Sequence, residues 1–147
     1  MMAGLIVCAA VLAVAGAFGM IWRNRNGRLR SGAPAAGDRG PARRGEQALT
    51  EADLGYPLGR RATLVQFSSA FCAPCRATRV MLADVAGRAD GVEHVEIDAG
   101  SRLDLARRLD IRRTPTVLVL APDGRIAGRA SGQPRQADLI RALGEVS

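Results

Sequence analysis

Apolar positions in residues 49–147 follow two different periods, which indicates alternating strands and helices. Strands are predicted over 62–69, 92–98, 116–120 and 125–130, where apolar side chains alternate or run together. Helices are predicted over 72–89, 101–110 and 134–146, where apolar residues recur every three or four positions. The order predicts an α/β domain whose first strands are parallel and whose last two strands form a hairpin.

Residues at the predicted helix starts carry capping signals. Thr50 precedes a short helix or turn within 49–59, and Asp53 follows it by three residues, as in a capping box. Ser101 is the candidate N-cap of the helix over 101–110. Pro74 and Pro134 fall at first turns, where the missing N–H of proline is not needed.

An uncharged segment, residues 3–22 (AGLIVCAAVLAVAGAFGMIW), precedes this domain. As a helix it reaches about 30 Å, the thickness of a bilayer's hydrocarbon core. The absence of a preceding arginine and the bulky residues at its end favour a retained transmembrane helix over a cleaved signal peptide. Trp22 is typical of an interfacial anchor, and the small residues Ala9, Ala13 and Ala17 permit at most a weak helix dimer.

Arginines directly after residue 22 set the expected orientation. Arg23, Arg25, Arg28 and Arg30 lie on the C-terminal side, and only the terminal amine lies on the other. The positive-inside rule therefore predicts a single-pass membrane protein whose domain faces the cytoplasm, with an extracytoplasmic domain as the alternative.

Residues 23–48 (RNRNGRLRSGAPAAGDRGPARRGEQA) have no apolar period. The segment is rich in arginine, glycine and proline and has almost no large apolar side chain to bury after Leu29. The sequence predicts a flexible linker here, followed by the folded domain at 49–147.

The positive charge is concentrated in this linker. The formal net charge is +7, and all 21 basic residues are arginine. Residues 23–48 hold seven arginines against Asp38 and Glu46, whereas residues 49–147 hold fourteen arginines against twelve acids. A nearly balanced domain argues against nucleic acid as a partner.

Two of the three cysteines, Cys72 and Cys75, lie in the stretch SSAFCAPCRAT between a predicted strand and a predicted helix. A helix N-terminus favours a thiolate, and residues three apart on a helix are within disulfide reach. A zinc site needs two further ligands, and the domain has no third cysteine and only His94. A structural disulfide closing so short a loop adds little stability. A redox pair is therefore the favoured interpretation.

The sequence resembles the thioredoxin family. The residues that carry the likeness are LVQFSSAFCAPC, VEIDA, RRTPTVLVLAPDGRI and Gly132, within about 62–146. The resemblance implies a thioredoxin-like fold with a central mixed sheet flanked by helices. It also implies that Cys72 attacks a substrate disulfide and that Cys75 resolves the mixed disulfide. The implied substrate-binding residues are Phe71, Pro74, Thr114, Pro115 (the family's cis-proline) and Gly132. No metal or organic cofactor is implied, but a separate electron donor is.

Two departures concern proton transfer. Gln66 stands where the family keeps a buried aspartate that helps deprotonate the second cysteine, and an amide is no base. His94 stands where the family keeps the lysine that pairs with that aspartate. If it approaches the cysteines, His94 is a replacement base, and otherwise it is a surface histidine.

The expected function is therefore that of a membrane-anchored thiol–disulfide oxidoreductase that reduces protein disulfides. One alternative is an extracytoplasmic thioredoxin-like protein of cytochrome maturation or oxidative folding. The other is a non-enzymatic module that keeps the fold for peptide binding.

Overall fold

The structure, a computed structural model, describes residues 2–25, 28–31 and 48–146. Five strands are present: β1 (Arg30–Ser31), β2 (Ala62–Ser68), β3 (Val92–Asp98), β4 (Thr116–Leu120) and β5 (Ile126–Ser131). The helices are α1 (Met2–Arg25), α2 (Glu51–Leu54), α3 (Ala73–Arg88), α4 (Leu103–Arg108) and α5 (Gln136–Glu145). From β2 onward, each predicted strand and helix is present in the predicted order.

The strands form one mixed sheet in the order β1-β5-β4-β2-β3. Strand β2 pairs in parallel with β3 and antiparallel with β4, and β4 and β5 are antiparallel neighbours joined by a short turn. The predicted parallel first strands and final hairpin are confirmed. Because β2 and β3 are parallel, their carboxyl ends meet at one edge of the sheet.

Helices cover both faces of the sheet and create two apolar cores. On one face, α3 and α5 bury a cluster that includes Leu64, Leu82 and Leu139. On the other, α2 and α4 bury a cluster that includes Phe67, Ile97 and Leu105. Alternate residues of β2 enter opposite cores, since side chains point to opposite faces of a strand. All seven residues of β2 are buried, so this strand gives the loop that follows it a well-packed support.

The predicted caps differ in their outcome. Thr50 caps α2, and its capping box with Asp53 is present. The cap predicted at Ser101 is wrong, because its hydroxyl donates to the carbonyl of Asp98 at 3.0 Å and α4 begins only at Leu103. Pro134 lies before the cap residue Arg135 and therefore outside α5, not in its first turn.

The N-terminal region differs from the expectation of a transmembrane helix and a free linker. Residues 3–22 lie within α1, but no helix among the described residues combines the length and apolarity needed to cross a membrane. Part of the predicted linker has structure, because α1 extends through Arg25, Arg30 and Ser31 pair with β5, and Ala48 forms a bridge to Arg125. The rest of the linker, at 26–27 and 32–47, lies outside the described residues.

Candidate functional site

Cys72 and Cys75 form a disulfide at the start of α3, with Cα atoms 5.2 Å apart. Cys72 is the N-cap residue, and its Sγ accepts the backbone N–H of Cys75 at 3.2 Å. Pro74 occupies the first turn, as predicted. Cys72 is partly exposed, whereas Cys75 is only 3% exposed. The pair thus has one accessible sulfur, at a helix N-terminus that favours a thiolate, and one sheltered sulfur.

The loop before β4 lies at the same edge of the sheet as the end of β2, from which the chain leads to the disulfide. The Thr114–Pro115 peptide bond is cis, and Pro115 is buried. The Pro115 carbonyl accepts the N–H of Gly132 at 2.7 Å, and Gly132 has a φ of 99°, a conformation suited to glycine. The predicted residues Thr114, Pro115 and Gly132 are therefore brought together at one edge of the sheet.

Ser69 joins this loop to the cysteine loop, and it was not among the residues predicted from the sequence. The hydroxyls of Ser69 and Thr114 lie 3.0 Å apart and share a hydrogen bond. The two residues are 45 positions apart in the chain, and neither has a local signal that predicts the pairing. Phe71 and Pro74 complete the rim of the disulfide, where the Phe71 side chain is fully exposed.

Gln66 lies on β2 directly beneath the first turn of α3. Its side chain is completely buried, and its Nε2 donates to the Cys75 carbonyl at 2.8 Å. Its Oε1 is buried with no hydrogen-bond partner among the described residues. The amide therefore attaches β2 to the backbone of the sheltered cysteine and leaves one acceptor in the apolar space below it.

His94 is not the surface residue of the simpler interpretation. It is half-buried on β3, in register with Leu64, on the same face of the sheet as Gln66. Its Nε2 is buried and has no hydrogen-bond partner among the described residues. Burial lowers the pKa of His94, with a smaller lowering from Arg79, and Glu96 opposes both. A neutral imidazole is the form that accepts a proton, so the chemistry fits a base, although the described contacts do not join His94 to either cysteine.

The described residues include no cluster of three or more histidine, cysteine, aspartate or glutamate side chains able to hold a metal ion. A partly exposed sulfur beside a sheltered one permits attack on an external disulfide followed by internal resolution.

Comparison with known proteins agrees with this geometry. The thioredoxin family profile matches residues 56–145, and a search of curated proteins found no match. Among solved structures, a mutant thioredoxin from Halobacterium salinarum NRC-1 is 21% identical, with a TM-score of 0.54 over 59% of this chain and 75% of its own. Chloroplastic thioredoxin z is 27% identical, with a TM-score of 0.53 over 59% and 79% of the two chains. Thioredoxin NaTrxh from Nicotiana alata is 22% identical, with a TM-score of 0.53 over 59% and 74%.

The matched region contains β2 to β5 and α3 to α5, and with them the disulfide, the cis-proline loop and Gly132. The profile covers more than half of the chain, and the cysteine pair that performs the chemistry of thiol–disulfide oxidoreductases lies within it. The chain belongs to the thioredoxin family.

Proposed function

We propose that this thiol–disulfide oxidoreductase works as a reductase of protein disulfides, with Cys72 as the nucleophile and Cys75 as the resolving thiol. The observation that carries the proposal is the unequal exposure of the two sulfurs. Cys72 is accessible at the N-cap of α3, whereas Cys75 is buried beneath it. An external disulfide therefore meets Cys72 first.

The reaction balances as two exchanges. In the reduced protein, the Cys72 thiolate attacks one sulfur of the substrate disulfide, forms a mixed disulfide and releases the other substrate sulfur as a thiolate. Cys75 then loses its proton, attacks the Cys72 sulfur and releases the second substrate sulfur. Two electrons pass to the substrate, which leaves as a dithiol, and the pair returns to the disulfide seen here. A separate dithiol donor must reduce it again.

The arrangement around Cys72 supports both exchanges. The N–H of Cys75 that reaches the Cys72 sulfur also favours negative charge on that sulfur. The exposed Phe71 and the cis-proline loop flank the attack position. Substrate binding by Phe71, Pro74, Thr114, Pro115 and Gly132 is part of this proposal.

A trapping experiment tests it. Cys75→Ser removes the resolving thiol, so a disulfide-containing protein such as insulin should stay attached to Cys72 and be released by a dithiol. Cys72→Ser keeps only the buried sulfur and should trap nothing. Equal trapping by both variants would contradict the assigned roles, and no trapping by Cys75→Ser would favour the non-enzymatic binding module.

For location we propose that residues 3–22 attach the protein to a membrane and that the domain faces the cytoplasm. The support is the uncharged run with arginines on its C-terminal side, together with the exposure of the large apolar side chains between Ile6 and Ile21. Extracytoplasmic chemistry is the competing assignment, and labelling on intact cells separates the two.

The labelling should be done in a Cys8→Ala background, so that only Cys72 and Cys75 react. Cells are treated with a membrane-permeant dithiol, washed, and exposed to a membrane-impermeant maleimide before or after lysis. Labelling only after lysis, in the fraction that sediments with membranes, is the expected result. Labelling of intact cells would place the domain outside. Recovery in the soluble fraction would show that residues 3–22 do not attach the protein to a membrane.

A further inference from the structure

Three segments meet around the disulfide: residues 68–79, 112–116 and 131–135. The Ser69 and Thr114 hydroxyls connect the first two segments at 3.0 Å. The Gly132 N–H and the Pro115 carbonyl connect the last two at 2.7 Å. These segments are therefore joined to one another at the edge of the sheet that carries the disulfide.

Charge is distributed unevenly between these segments and the rest of the domain. The three segments contain no aspartate or glutamate, and they hold five arginines: Arg76, Arg79, Arg112, Arg113 and Arg135. The remaining residues of 49–147 hold nine arginines and twelve acids. A domain that is nearly neutral as a whole is therefore positive around its reactive disulfide and negative elsewhere.

Acids from outside the segments offset part of this charge. Arg79 pairs with Glu96 at 3.3 Å, and Arg112 pairs with Asp110 at 2.8 Å. Asp98 lies at the same edge of the sheet, at the end of β3, in register with Ser68. Five arginines against these three acids leave a positive surplus.

Two of these arginines lie on different elements, and we call them the arginine rim: Arg76 and Arg113. Arg76 follows Cys75 on α3, and Arg113 precedes Thr114 of the cis-proline loop. Both residues are exposed. The rim thus adjoins the disulfide in sequence on α3 and the cis-proline loop on the other side.

We propose that the arginine rim selects disulfide substrates whose cysteines are flanked by aspartate or glutamate. This inference rests on the proposed reductase function and names the class of substrate for that same site. Charges around an interface act mainly on the association rate and on the choice of partner, and salt screens them. An acidic flank is attracted to the rim before Cys72 attacks, and a basic flank is repelled.

The test uses the full chain and three peptides of equal length, each with one internal disulfide flanked by glutamate, serine or lysine. Dithiothreitol serves as the electron donor, its direct reduction of each peptide is subtracted, and kcat/KM is measured at low and high salt. At about 10 mM salt we expect glutamate to exceed lysine by about tenfold or more, and by about threefold or less near 0.5 M, where screening is strong.

Arg76→Gln combined with Arg113→Gln should reduce the glutamate-to-lysine ratio to about twofold or less at low salt. Arg88→Gln is the matched control, since it removes one arginine from the far end of α3, where Arg88 pairs with Asp84 at 2.8 Å. The control should keep the wild-type ratio. Circular dichroism establishes that each variant is folded.

The possible outcomes distinguish a failure of the proposed substrate selection from a failure of the proposed reductase function. If the wild-type protein reduces all three peptides at similar rates, or prefers lysine, selection by the arginine rim is wrong and the reductase function stands. An undiminished ratio in the double variant, or an equal loss in Arg88→Gln, also overturns it. If none of the peptides is reduced above the dithiothreitol rate, the proposed function itself fails.

Discussion

At the residue scale, Gln66 and His94 are the side chains that most distinguish this site from its family's pattern. Both place a buried polar atom without a described partner on the face of the sheet beneath α3. Such atoms cost free energy when left unsatisfied, by about 1–3 kcal/mol each in typical cases. Gln66 also donates to the carbonyl of Cys75, the proposed resolving cysteine, which connects this amide with the proton that Cys75 must lose in that role.

Replacing Gln66 with aspartate should accelerate the resolving step. Only the thiolate of Cys75 attacks, and a carboxylate beneath it can take the proton that an amide cannot. We expect the second exchange to become roughly tenfold faster or more near neutral pH, a smaller gain than the roughly 10²–10⁴-fold typical of a well-placed general base. Stability should fall by about 1–3 kcal/mol, because the bond to the Cys75 carbonyl is lost and a carboxyl group is buried.

Stopped-flow mixing of the reduced protein with a chromogenic aromatic disulfide measures both steps, since attack by Cys72 releases one coloured thiolate and resolution by Cys75 releases the next. Gln66→Asn is the matched control, being as short as aspartate but neutral, and should not accelerate the second phase. If Gln66→Asp leaves that phase unchanged while His94→Ala slows it strongly, His94 is the working base and this account of Gln66 is wrong.

His94 should also make folding stability depend on pH. Burial holds its pKa in the folded protein below the ordinary value of 6.5, so the unfolded chain binds the proton more readily. The stabilising contribution of neutral His94 is present above that ordinary value and is lost as the pH falls through the lower, folded pKa. Thermal melts between about pH 7.5 and pH 5 should therefore show a smaller decline in Tm for His94→Gln than for wild type. If the Tm of the two proteins declined equally, His94 would not be a source of the pH dependence.

At the scale of elements, the accuracy of prediction from the sequence depended on whether a signal was local. The cap at Thr50 follows from neighbouring residues, because its side chain accepts the N–H of Asp53 three positions later. The cap at Ser101 failed, because its hydroxyl bonds backwards to Asp98. The hydrogen bond between the Ser69 and Thr114 hydroxyls could not be predicted from the sequence, since it joins residues far apart in the chain.

Asp53 connects α2 to α4 and should therefore contribute to the free energy of unfolding. Its carboxylate accepts both the N–H and the hydroxyl of Thr50 at 2.9 Å and pairs with Arg108 of α4 at 2.6 Å. Burial alone would raise the pKa of Asp53, but the bonds from Thr50 and the charge of Arg108 outweigh it and lower the pKa below 3.8. Asp53→Asn should therefore reduce the free energy of unfolding by about 1–2 kcal/mol at pH 7, because it removes the charge from the bonds with Thr50 and from the pair with Arg108.

The lowered pKa also determines how the stabilising contribution of Asp53 changes with pH. The stabilising contribution of ionised Asp53 is present above 3.8 and is lost as the pH falls through the folded value, so the difference between wild type and Asp53→Asn should shrink as the pH falls below 3.8. Asp90→Asn is the control, because Asp90 and its partner Arg60 are almost fully exposed, and it should change stability little. Urea titrations of the three proteins measure the differences.

At the scale of the whole molecule, periodicity and the cysteine motif predicted the sheet, its helices and the location of the site, because each depends on repeating or neighbouring residues. The segment before residue 48 was harder to interpret. Composition alone indicated an unstructured linker from residue 23 onward, yet Arg30 and Ser31 add a strand to the edge of the sheet next to β5. Two paired residues surrounded by arginine, glycine and proline carry no recognisable strand period.

Leu29 should connect this edge strand to the folded domain. Its side chain is half-buried against the core formed with α3 and α5, and its Cδ2 lies 3.0 Å from the point where a Cβ on Gly128 of β5 would stand. Leu29→Ala should lower the free energy of unfolding by about 1–2 kcal/mol, less than a fully buried leucine would cost. Leu12→Ala, the matched control on α1, truncates a leucine that is 69% exposed and should have little effect.

A double-mutant cycle makes the contact specific. Gly128→Ala introduces the Cβ that meets Leu29 and should destabilise the protein, because the leucine must move away from the core. In the Leu29→Ala background that obstruction is gone, so the same substitution should cost less, with a coupling of about 0.5 kcal/mol or more. If the two substitutions had additive effects on the free energy of unfolding in urea titrations, β1 would not pair with β5 in solution. The domain would then begin near residue 48.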